Sequence, residues 1–290
     1  MLLPVLGFYI LFKYVPMYGV QIAFKKYNVI KGIWGSEWIG LEIFTEVFEN
    51  PDFWTSLLNT IRLNLLSLIT GFPAPIIFAL FLNEIRSKKY KKTVQSISYL
   101  PHFISWVIIY GIMLTFLVRN TGLVNVLLKR IGLPQVSFLT QKGWWYFIYL
   151  GSGIWKELGW SAIIYLAAMS AIDTQLYEAA AIDGAGRLKR MWYITLPGIK
   201  NTIVLLFILR IGQMMNIGFE QPFLLGNPLV ADISTVISVY VYQMGLIWMK
   251  FSFSTAVGFF QSVVNLILLV SADYIARLLG EQGIWGGRKH

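Results

Sequence analysis

Tyr177-Glu178-Ala179-Ala180-Ala181-Ile182-Asp183-Gly184-Ala185-Gly186 is the stretch from which the rest of the chain can be read. Asp173 stands just ahead of it and fits a helix N-cap, and Gln175 to Ile182 contains good helix formers. Glu178 falls early in that helix, where a negative charge is compatible with the helix dipole. The three alanines leave a smooth backbone that another protein can approach closely. Gly184 and Gly186 permit a sharp turn, a basic amphipathic stretch runs from Arg187 to Tyr193, and Pro197 marks entry into the next apolar segment. The spacing predicts a helix–turn–helix. Judged by these residues alone, it is equally an ordinary amphipathic loop.

Long apolar segments lie on either side of it. The 290-residue chain is 57% hydrophobic and only 13% charged, with a mean hydropathy of +0.63, a balance that soluble domains rarely show. Segments long enough to cross about 30 Å of hydrocarbon at about 1.5 Å per residue fall at 2–23, 57–82, 97–118, 145–169, 201–221 and 255–278. The expected fold is an all-α integral membrane protein of about six helices in one domain, residues 1–290. Its core runs over about 57–278, helix 2–23 is peripheral, and the loop is 170–200. A shorter apolar stretch, 234–249, reads as interfacial or re-entrant. The first segment has no basic stretch before it and no small-residue cleavage site after it, so it reads as a span and not a signal peptide.

The loops orient the chain. Residues 83–92 carry five basic side chains and one acid, residues 170–200 hold Arg187, Lys189, Arg190 and Lys200, and the tail adds Arg288 and Lys289. All three fall on one side, which the positive-inside rule makes cytoplasmic. Both termini are then inside. Loop 24–54 on the other side is acid-rich, whereas loop 119–143 dissents with Arg119, Lys129, Arg130 and Lys142. Trp34, Trp38, Trp54, Trp144, Trp145, Tyr146 and Trp192 gather near segment edges, as an interfacial aromatic belt would. The net charge of +10 suits this topology better than nucleic acid.

Several chemistries are excluded. With no cysteine and two distant histidines, His102 and His290, neither thiolate chemistry nor a histidine metal cluster is expected. No G-x-x-x-x-G-K-[ST] loop occurs, so no ATP is hydrolysed here and none is bound as a cofactor. No nucleophile–base constellation marks an enzyme. Ionisable residues at membrane depth are costly and mark cavities or partners. Glu157 and Arg210 sit at similar depth on consecutive segments and are expected to pair, while Lys156 points elsewhere. His102 reads as a helix-boundary or loop-packing residue.

Glu178-Ala179-Ala180, Gly184, Ile194, Leu196 and Pro197 match position for position the EAA signature of ABC-importer permeases. The chain therefore resembles that family, which has the MetI-like fold. Lys13–Gly19, Tyr99–Trp106, Trp155–Trp160, Met214–Glu220 and Asn227-Pro228 are similar to its polysaccharide, LplB-like branch. Gly226 stands where that branch has an aromatic residue, and the usual N-terminal basic stretch is not seen.

The resemblance implies a coupling helix that docks on an ATPase through Glu178, Ala179, Ala180, Asp183 and Gly184, with Pro197 orienting the return to the membrane. It implies a heterodimer with a second permease subunit, a dimeric ATP-binding partner holding ATP and Mg2+, an extracytoplasmic solute-binding protein, membrane lipid around it and an oligosaccharide as cargo. The setting implied is the bacterial cytoplasmic membrane. Sugar rings favour apolar pockets with a few polar groups and aromatic faces. Trp155, Glu157, Trp160, Tyr165, Arg210, Met215, Asn216 and Phe219 are the candidates for its path. The alternatives are an ABC permease for a peptide or amino acid, and an ion-coupled secondary transporter, which lacks an account of the EAA pattern and shows no convincing inverted repeat.

Overall fold

The computed structural model describes residues 2–278; Arg288, Lys289 and His290 lie outside the described residues. Three helices among the described residues are long and apolar enough to cross a membrane: Leu3–Phe24, Pro51–Asn83 and Phe251–Leu278. Two bent pairs raise the number to five when each pair is taken as one span. The segment expected at 145–169 lies within a 29-residue helix, Lys142–Ser170. At about 1.5 Å per residue it is long enough to cross, although its tryptophans, glycines, Lys156 and Glu157 make it less apolar than the other three.

Two of the expected spans are not continuous. Residues 97–118 divide into Lys88–Phe103 and Trp106–Leu117, bent by 99°. Pro101 sits in a 3-10 turn, Leu100–Phe103, after which Ile104 and Ser105 are extended. Ser105 then caps the next helix by accepting from the Ile108 amide. Residues 201–221 also divide: the helix Lys200–Gly212 stops, residues 213–219 are irregular, and a short helix Glu220–Leu225 follows. Gly212 lies so close to Leu269 that an added Cβ would stand 2.4 Å from its Cδ1. By contrast, Pro73 and Pro75 leave Pro51–Asn83 intact as a span, because both stand in the first turn of its second half, Pro73–Asn83, where no N–H is needed.

Irregular backbone at membrane depth must be satisfied by side chains, and the chain supplies them. Around the second break, Asn64 donates to the Met214 carbonyl at 2.8 Å, Gln261 donates to the Met215 carbonyl, and Asn265 accepts from the Met215 amide at 2.9 Å. At the first break, the buried Lys156 ammonium donates to the carbonyls of Pro101, His102 and Ile104. It also lies 5.7 Å from the Trp106 ring.

Two ends are distinct. At one, Lys25 and Tyr27 bond Ser252, Lys250 meets Glu46, and Asn227 donates to the Leu139 carbonyl. A two-stranded antiparallel ribbon, Lys25–Lys26 with Glu37–Trp38, lies here. The helix Ile237–Ile247, within the expected 234–249 stretch, is also here and is too short to cross alone. Its first amide bonds the Thr60 hydroxyl. At the other end, Ile76, Ala79, Leu80, Ala162, Tyr165, Met169, Met191 and Ile199 form one core cluster. The dissenting basic loop has a local cause: Lys142 pairs with Asp232, and Lys129 and Arg130 occupy the last turn of a helix, where cations suit the dipole. Leu2–Tyr18 is exposed along almost its whole length, which suits lipid or another chain.

Candidate functional site

The loop helix spans Thr174–Ile182. Asp173 caps it by accepting from the Gln175 amide at 2.9 Å, as its sequence predicts. The opposite end closes in a Schellman motif: the Ala185 amide bonds the Ala180 carbonyl at 2.8 Å, and the Gly184 amide bonds that of Ala181 at 3.2 Å. Gly184 takes the left-handed conformation this requires, with φ +75°. Gly186 does not; it caps Arg187–Arg190 with φ −66°.

Glu178, Ala179, Asp183, Gly184 and Pro197 are exposed, and Ala180 is half-buried. Around them Leu176, Ile182, Leu188, Trp192 and Tyr193 are exposed too, Ile182 at 87%. Together they form an exposed apolar patch around small residues. It is also tied firmly to the membrane helices. The Tyr177 hydroxyl meets the Thr195 Oγ1 at 2.9 Å. Ile172 packs onto Gly198 so closely that an added Cβ would lie 2.7 Å from its Cδ1. Pro197 stands in a short turn, Leu196–Gly198, that comes after a π-helical stretch, Met191–Thr195. The chain bends by 60° from there into Lys200–Gly212.

The second feature is a cavity of about 650 Å³ walled by Pro51–Asn83, Trp106 and the Lys142–Ser170 and Lys200–Gly212 helices. Five of the candidates line it: Glu157, Trp160, Tyr165, Arg210 and Asn216. Three do not. Trp155 lies two residues from Glu157, so the helix turns it about 200° away, toward the exterior, where it is 48% exposed. Met215 is buried among Ile237, Tyr240 and Phe253. Phe219 stacks on Phe223 at 4.7 Å and meets Tyr242 at 5.0 Å. The wall also includes Asn64, Ser67, Tyr149 and Gln221, which sequence reasoning missed. Asn64, Ser67 and Gly71 recur at i, i+3 and i+7, a helical stripe that was the available signal.

The expected pair of Glu157 with Arg210 is corrected. Glu157 Oε2 lies 3.0 Å from His102 Nδ1, and because a carboxylate only accepts, the imidazole donates. The His102 ring in turn stacks on Trp160 at 4.5 Å, nearly parallel. His102 is at a helix boundary as expected, but its ring also faces a cavity residue. Arg210 instead donates to the Ser67 Oγ at 3.2 Å. Sequence position could not separate these outcomes, because the 99° bend carries His102 under the long helix.

The profile of the binding-protein-dependent transport system inner membrane component matches residues 55–281. Protein LplB of Bacillus subtilis is 46% identical over 98% of this chain and 90% of its own length. The polygalacturonan/rhamnogalacturonan transport system permease protein YteP of the same organism is 47% identical over 98% and 89%. Among solved structures, a chain of a bacterial ABC transporter involved in import of the acidic polysaccharide alginate superposes with a TM-score of 0.89. It is 43% identical, with 97% of this chain and 95% of that chain covered. A second structure of a bacterial alginate ABC transporter, in complex with alginate pentasaccharide-bound periplasmic protein, superposes equally well. The chain therefore belongs to the family of binding-protein-dependent transport system inner membrane components, as a multi-pass transport subunit and not an enzyme.

Proposed function

We propose that this chain is one permease subunit of an ABC importer that carries an oligosaccharide or polysaccharide-derived glycan across the bacterial cytoplasmic membrane, with both termini inside. The carrying observation is mechanical. An exposed, capped helix, Thr174–Ile182, follows Lys142–Ser170 directly and is tied through Tyr177–Thr195 and Ile172–Gly198 to the turn that leads into Lys200–Gly212, and both of those helices wall the cavity. A push on the loop is thereby a push on the cavity. The similar proteins named for polygalacturonan, rhamnogalacturonan and alginate support a glycan cargo, and the mix of tryptophan, tyrosine and amide groups in the wall suits one.

In this reading an extracytoplasmic binding protein delivers the glycan, and a second permease subunit completes the pathway. A dimeric ATP-binding partner, which holds ATP and Mg2+, takes up Glu178, Ala179, Ala180, Asp183 and Gly184. Closure of that dimer moves the loop, and the breaks at 104–105 and 213–219 let the helices reorient between outward-open and inward-open states. The test is purification of the tagged chain from its native membrane. Recovery of a second permease, an ATP-binding protein and a solute-binding protein, with glycan-stimulated ATP hydrolysis, is expected. Uptake that continues in vesicles without ATP and stops when an ion gradient is collapsed would overturn it.

A further inference from the structure

Two charged side chains line the cavity, Glu157 and Arg210, and they are not equivalent. Glu157 Oε2 already accepts a hydrogen bond from the His102 ring at 3.0 Å. Arg210 has five N–H donors in a planar fork; among the described residues its one hydrogen bond goes to the neutral Ser67 hydroxyl, and no carboxylate lies within ion-pair distance. A guanidinium held at membrane depth without a counter-charge is costly unless the cavity brings it one. Nor does Lys156 compete, because its ammonium is committed to the Pro101, His102 and Ile104 carbonyls. Arg210 is the cavity's cation without an ion-pair partner among the described residues, and the same wall carries aromatic and amide groups: Tyr149, Trp160, Asn64 and Gln221.

We infer that Arg210, steadied by Ser67, is an anion subsite that takes the carboxylate of a uronic-acid unit as the glycan passes. The inference rests on the glycan-import reading above. The geometry favours a carboxylate because the two parallel N–H groups of a guanidinium match its two oxygens, while the aromatic and amide neighbours serve the uncharged ring. Arg210 is then a specificity-determining residue, selecting charged over neutral sugars of the same length.

The experiment uses the complete transporter in proteoliposomes with its binding protein. The probes are a galacturonate tetramer and the same tetramer methyl-esterified at every carboxyl. Because the binding protein is common to all variants, a variant-to-native ratio isolates the membrane step. With Arg210→Gln, the concentration for half-maximal uptake of the acid is expected to rise about 10- to 100-fold, the range of a lost charge-assisted contact. The ester should change less than threefold. Arg210→Lys should recover part of the loss, since it keeps the charge but not the fork. Ser67→Asp, which keeps Arg210 and offers it an internal carboxylate, should also penalise the acid selectively and decides the matter if Arg210→Gln fails to assemble. Equal losses for acid and ester, no loss for either, or native uptake of the ester alone would each overturn the subsite. If only the acid is carried, Arg210→Lys no better than Arg210→Gln, or Ser67→Asp without effect, overturns it too. Native protein carrying neither probe nor any other glycan overturns the glycan reading itself.

Discussion

Gly184 and Gly186 look alike in the sequence, two residues apart in one turn, yet the backbone asks different things of them. Gly184 has φ +75° and nothing within 4 Å of where a Cβ would be. A side chain there meets no neighbour; the cost is conformational, about 1–2 kcal/mol for an ordinary L-residue in the left-handed region. Gly184→Val is therefore expected to fray the end of the Thr174–Ile182 helix and lower glycan-stimulated ATP hydrolysis severalfold, with Gly184→Asn recovering most of it because asparagine tolerates that region. Thermal unfolding of the membrane part should move little. Gly186→Ala, at φ −66° in open space, should leave coupling within a factor of two. If Gly184→Val couples as well as the native chain, the turn is not part of the coupling device.

The element most altered from its expected form is the bent segment Lys88–Leu117. Its elbow is held by neighbouring residues of one facing helix. Lys156 reaches the elbow carbonyls, Glu157 the His102 ring, and Trp160 stacks on that ring. Gly159 completes the contact: an added Cβ would stand 2.2 Å from the Ser98 carbonyl oxygen, a backbone atom that cannot step aside. Gly159→Ala must therefore separate the two helices, and a loss of about 1–3 kcal/mol is expected, read as a lowered detergent melting temperature. Lys156→Met removes the charge but strands three carbonyls, so it too should destabilise by about 1–3 kcal/mol. Trp155→Phe, on the outward face beside it, should be close to neutral in the same melt. Equal melting temperatures for Lys156→Met and Trp155→Phe would mean the ammonium contributes nothing to the elbow.

At the scale of the molecule, the absence of cysteine makes topology directly measurable. Ile30 is 96% exposed at one end and Ile182 is 87% exposed at the other. In right-side-out vesicles, Ile30→Cys should react with a membrane-impermeant maleimide at once, and Ile182→Cys only after permeabilisation. The reverse pattern would invert the proposed orientation. Much of this architecture is legible in the residues. Hydropathy marks the bilayer because about 20 apolar residues in a row have few other solvents, and Asp173, Gly184 and the alanines between them specify their helix through local rules of capping and turning. Of the five candidates that line the cavity, Glu157, Arg210 and Asn216 follow from the cost of polar groups at membrane depth, and Trp160 and Tyr165 from the fit of aromatic faces to sugar rings. That cost does not say what relieves it. Asn64, Asn265 and Lys156 turn out to satisfy broken backbone, Glu157 finds His102, and Arg210 faces the cavity. The sequence by itself determined the membrane, the loop and the family, because these depend on composition and on residues close in the chain. Only the tertiary structure decided where two spans break and which cavity charge has no ion-pair partner among the described residues, because a 99° bend brings together groups more than 50 residues apart and no local pattern encodes that meeting.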